Sequence, residues 1–149
     1  MMKNVNDTKI YLTVIIAPLV LASFVGGVSL YSKFAVEAKV KTLLASPATV
    51  REGYLLLREP QLFGGYKNWD SDGMAVKNSL RYFDNKLFNG GDIAADEKVY
   101  IELVLKRRES GSELGIKSAF FLLLVSLTGF VAYLVEKAKN KNDNLQGDI

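Results

Sequence analysis

Charge vanishes from this chain in two places. Ile10–Tyr31 reads IYLTVIIAPLVLASFVGGVSLY and Ser118–Val135 reads SAFFLLLVSLTGFVAYLV, with no Asp, Glu, Lys or Arg in either. At 1.5 Å per helical residue the runs reach roughly 33 and 27 Å, against a hydrocarbon core of roughly 30 Å. Ile116 lengthens the second run, and Lys117 can carry its ammonium to the interface. The pattern predicts a two-pass transmembrane α-helical hairpin. Residues 1–9 form an N-terminal tail, 10–31 the first transmembrane helix, 116–135 the second, and 136–149 a polar C-terminal tail. A small extramembrane domain, mainly helical with α+β left open, occupies 46–112. The first run could also serve as a signal peptide cleaved near Ala22, but its apolar character continues well past that point.

Beyond Tyr31 the polar sequence keeps a helical rhythm. Val36, Val40 and Leu43 form one stripe with no Gly or Pro among them, so the first helix is expected to project as a stalk to about Ala45. Ser46-Pro47 breaks it. Thr49-Val50-Arg51-Glu52 matches a capping box ahead of Tyr54–Leu57. Gln61–Gly73 reads as loop. Val76, Leu80, Phe83 and Leu87 then mark an amphipathic helix, with Asp72 as candidate cap and Asn89-Gly90-Gly91 as its stop. Val99–Leu105 is two-sided. Its alternation and β-branched content favour a strand paired with Tyr54–Arg58, while a helical wheel gives it a wide apolar face. Glu109–Ser112 reads as a flexible link, Ala138–Ile149 as a disordered tail, Thr8 as an N-cap and Pro18 as a kink in the first span.

Composition narrows the chemistry. The chain has 149 residues, a net charge of +3, and neither Cys nor His. Disulfides and thiolate sites are excluded, and the commonest metal ligand and general base is missing. No nucleophile elbow, phosphate loop or metal-ligand spacing occurs, so neither an enzyme nor a cofactor is expected. The spread of the basic residues gives no nucleic-acid footprint. Sidedness turns on the tails, because long loops cross regardless of charge. Lys137, Lys139 and Lys141 against the second span place both termini in the cytoplasm, with a periplasmic domain on a bacterial inner membrane.

Four sets of residues are candidates for function. Ala22/Gly26 and Ser23/Gly27 are adjacent small-xxx-small pairs on the first span, suited to close helix packing. Phe63, Tyr66 and Trp69 surround two glycines in a loop that could meet a partner or cap a core. Lys106, Arg107 and Arg108 could contact anionic headgroups. Asn68, Asp70 and Asp72, followed by Gly73, match half of a calcium loop. The first position is Asn and the twelfth is Ser79, so a surface turn outweighs that reading and no metal is expected. Together these observations point to a non-catalytic structural or accessory subunit of a larger membrane assembly. It would pack through the first span against the lipid bilayer, other membrane subunits or a second copy. A ligand-sensing or regulatory two-pass protein and a homo-oligomeric two-span channel are the alternatives.

Overall fold

The computed structural model describes the backbone of residues 3–64 and 71–146 and the side chains of 9–64 and 73–141. All regular secondary structure among the described residues is helical, with no strand. Helix α1 spans Lys3–Tyr31, and a π-helical turn, Ser32–Glu37, joins it to α2, Ala38–Leu44. Helix α3 is Val50–Leu57, α4 is Ser71–Phe88, and α5 is Lys98–Gln146. The chain divides into two compact units, Met1–Gly26 with Lys117–Ile149, and Gly27–Ile116.

In the first unit, α1 and α5 run antiparallel. The Tyr11 and Tyr133 rings lie 6.2 Å apart at one end, and a Cβ on Gly26 would sit 3.2 Å from Ala119 Cβ at the other. Between them the Ser126 hydroxyl donates to the Ile15 carbonyl at 2.7 Å, and a Cβ on Gly129 would meet Val14 at 3.0 Å. Both helices are long and apolar enough to cross a membrane, and only 17% of the most apolar stretch of each is buried. Helix α1 passes through Pro18 and begins ahead of Thr8, which is therefore an internal residue rather than a cap. Helix α5 runs on to Gln146. The expected disordered tail is helical as far as that residue, because extending a formed helix avoids the cost of nucleation.

The second unit packs its helical segments around one core. Val36, Val40 and Leu44 meet Val50, Tyr54 and Leu57 of α3, Val76 and Phe83 of α4, and Ile101, Val104 and Leu105 of α5. Tyr54 and Phe83 are fully buried, with ring centroids 5.3 Å apart. The Tyr54 hydroxyl reaches Asp84 Oδ1 at 2.6 Å and the Leu80 carbonyl at 3.1 Å. Burial first, and the Asp84 bond second, push its pKa well above the phenolic range. Helix α4 ends where the sequence stops it. Gly90 takes φ 77°, its N–H reaches the Leu87 carbonyl, and that of Gly91 reaches Lys86, a Schellman closure.

Four local expectations are corrected. Val99–Leu105 is the first part of α5, not a strand, because its only partner segment, Tyr54–Arg58, is committed to α3 and its apolar face is used as a helix face. Glu109–Ser112 is helical, not a link. Thr49 makes no side-chain cap; its hydroxyl donates back to the Leu43 carbonyl at 2.6 Å. Helix α4 begins at Ser71, which puts Asp72 inside it.

The start of α5 is held by Glu97. Its carboxylate takes Lys86 Nζ at 2.6 Å, the Tyr82 hydroxyl at 2.6 Å and the Ala94 N–H at 2.7 Å. Those donors, Lys86 first, hold its carboxyl at about 2, below the ordinary 4.5. A depressed carboxyl stabilises the fold above its unfolded pKa and loses that contribution as pH falls toward the folded one. Thermal unfolding from pH 5 down to pH 2 is therefore expected to show a loss on the order of 1 kcal/mol from this group. Glu97→Gln is expected to remove that component of the slope.

Candidate functional site

The second unit buries two opposite charges side by side. Glu37 and Arg108 are 3% and 4% exposed, and isolated charges at such depth cost several kcal/mol each. They do not pair directly. Arg108 Nε donates to Ser32 Oγ at 3.0 Å, and the Ser32 hydroxyl donates to Glu37 Oε1 at 3.1 Å. The Ser112 hydroxyl donates to the same carboxylate oxygen. Arg108 Nη1 closes the end of α3, reaching the Leu57 carbonyl at 3.3 Å and the Glu59 carbonyl at 2.7 Å. Gln61 Nε2 donates to the Arg108 carbonyl at 2.5 Å. Burial lowers the Arg108 pKa from its ordinary value, while Glu37 and Glu59 oppose the shift. A guanidinium so placed stays charged.

The π-turn explains how Ser32 and Glu37 meet. Residues five apart on an α-helix point about 140° apart. The wider π-turn, with its i→i+5 bonds, starts at Ser32 and ends at Glu37, and it brings both side chains inward. Beyond it, Leu44 rather than Leu43 completes the buried set with Val36 and Val40.

Helix α5 accommodates this with glycine. A Cβ on Gly111 would lie 2.6 Å from Gln61 Nε2, and one on Gly115 would collide with the Ser29 hydroxyl. The glycines that read as a flexible link instead permit close approach along a continuous helix.

The structure separates the sequence candidates. On the first span, Ala22 is buried and Gly26 faces Ala119, so this pair is used inside the hairpin. Ser23 is exposed, with its hydroxyl on the Leu19 carbonyl, and Gly27 has nothing within 4 Å. Phe63 is half-buried against α5, where its ring would lie 3.1 Å from a Cβ on Gly115. Tyr66 and Trp69 lie outside the described residues. So do Asn68, Asp70 and the Asp72 side chain; among the described residues no group of acidic side chains gathers for a metal ion. The basic triplet is split: Lys106 is exposed, Arg107 half-buried and Arg108 buried in the network. Sequence reasoning gave no site role to Glu37, Ser32 or Ser112. The available signal was a helical stripe of small and polar residues in step with Ile101 and Leu105.

The chain matches no protein-family model, no curated protein and no solved structure.

Removing one member of a buried charged set leaves the other unmatched, at a cost of about 3–5 kcal/mol. Arg108→Met and Glu37→Met are each expected to fall in that range in denaturant titrations of the purified protein. The double variant is expected to lose less than their sum by more than about 0.5 kcal/mol. Strict additivity would show that the two charges act independently.

Proposed function

We propose that the protein is a non-catalytic accessory subunit that crosses a bacterial inner membrane twice. Both tails are cytoplasmic and the helical unit of Gly27–Ile116 lies on the outer side. The observation that carries this reading is the division of labour on α1. Ala22 and Gly26 are consumed by packing against α5, while the neighbouring Ser23 and Gly27 remain exposed. In lipid, where apolar side chains gain nothing by leaving the solvent, small residues on an open face favour packing by another helix. The partner is a span of another subunit or of a second copy.

A regulatory role is the second reading. The observation in its favour is that α5 is one 49-residue helix, contributing both to the outer core and to the apolar hairpin. A change at the outer end would be carried along a stiff element rather than lost in a linker.

Gly27→Ile is expected to abolish recovery of co-purifying chains, or of a cross-linked homo-oligomer, from mild detergent while leaving the unfolding midpoint unchanged. Gly26→Ile is expected to lower the midpoint as well, since Ala119 stands in the way. An intact assembly in Gly27→Ile refutes the packing face.

The chain has no Cys, so topology can be read with a single label. Asn89→Cys, in the exposed turn after α4, is expected to react with an impermeant maleimide on intact spheroplasts. Reaction only after lysis would reverse the orientation.

A further inference from the structure

The outer unit holds a second feature that the buried network does not use up. Where the end of α3 meets α4 and α5 there is an open cleft of about 390 Å³. Small-molecule sites run from roughly 300 to 1,000 Å³. Among the described residues, four cationic side chains line it, Arg58, Lys77, Arg107 and Arg108, against one carboxylate, Glu59.

The cations are not equivalent. Arg58 is held by Asp84 at 2.9 Å, and Arg107 has interactions of its own within the chain. Arg108 is fixed by bonds from Nε and Nη1, and no described residue accepts from its Nη2. It therefore offers two further N–H donors from a guanidinium that is already immobilised, so little side-chain freedom remains to be lost on binding. Lys77 is exposed at the rim and has no ion-pair partner among the described residues. Leu57, Val76, Leu80 and Val104 supply an apolar side to the cleft, beside Pro60 and the Gln61 amide.

We infer that this cleft binds a small organic carboxylate. Arg108 Nη2 and Lys77 take the anionic group, and the α3–α4–α5 wall takes an aromatic or aliphatic body. The apolar wall is what selects an organic acid over an inorganic anion. The fixed guanidinium is what selects an acid over a neutral analogue. This ligand site goes beyond the proposed packing role and does not depend on it.

The test uses the full-length protein in phosphatidylcholine nanodiscs and the probe 4-fluorobenzoate, followed by fluorine NMR. Saturable binding tighter than roughly 1 mM is expected. Lys77→Glu, at an exposed position away from the core, is expected to weaken it about tenfold without changing the unfolding midpoint. Neither 4-fluorobenzyl alcohol nor inorganic phosphate is expected to displace the probe at equal concentration. The proposal is overturned by absence of saturation about tenfold above that concentration, by unchanged affinity in Lys77→Glu, or by equal binding of the alcohol. Displacement by phosphate at equal concentration would overturn the organic part of the assignment. Assembly through Gly27 is read by co-purification, so the two proposals fail separately.

Discussion

The unit of Gly27–Ile116 is organised around the requirement to bury Glu37 beside Arg108. Neither charge could be left at that depth without partners, and no direct pair satisfies them. The serine hydroxyls of Ser32 and Ser112 carry the link, and the backbone carbonyls of Leu57 and Glu59 take the far side of the guanidinium. Each solution constrains its surroundings. Serine is small enough to let the helices approach, glycine at 111 makes room for Gln61, and the π-turn places Ser32 and Glu37 on one face. Arg108 also takes the last carbonyl of α3, that of Leu57, while the backbone N–H groups of Arg58 and Glu59 close on Leu55 and Leu56. One arginine thus ends a helix, sits beside a buried carboxylate and lines a cleft.

Long helical continuity is the second constraint. Glycine in a helix interior costs up to about 1 kcal/mol relative to alanine, and α5 carries Gly111, Gly115 and Gly129. Such a helix persists when tertiary packing repays the cost, as all three glycines show by their close neighbours. A helix that enters hydrocarbon must also keep its backbone bonds closed, since no water is there to replace them. Continuity from Lys98 to Gln146 meets both demands with a single element.

Much of this was legible before the structure. The two uncharged runs identified the long apolar helices, and Val76, Leu80, Phe83 and Leu87 with Asn89-Gly90 gave α4 and its ending. What was not legible shares one physical cause. Apolar periodicity finds helix faces that pack through large side chains, whereas the inward face of α5 changes character along its length. Ile101, Leu105, Arg108, Ser112, Gly115 and Ala119 step by four and three residues, and all are buried. Only the first two look like core. The arginine read as a headgroup contact and the Gly-Ser string as a hinge, because each was judged by residue type rather than by its place in that stripe. Val99–Leu105 misled for a related reason. Alternation over seven residues also satisfies a wide helical face, and only the absence of a free partner strand decides between them.

The same stripe accounts for the asymmetry of the small residues on α1. Two small-xxx-small pairs one residue apart point about 100° apart, so one intramolecular neighbour can cover only one of them. Helix α5 covers the face of Ala22 and Gly26, where Ala119 leaves no room for a larger residue. Had Ser23 and Gly27 been needed only for the hairpin, leucine or valine would serve as well on a surface facing hydrocarbon. Glycine is disfavoured there by propensity and contributes no packing of its own. The proposed partner helix would account for a second small pair on that uncovered face, which lipid alone does not call for.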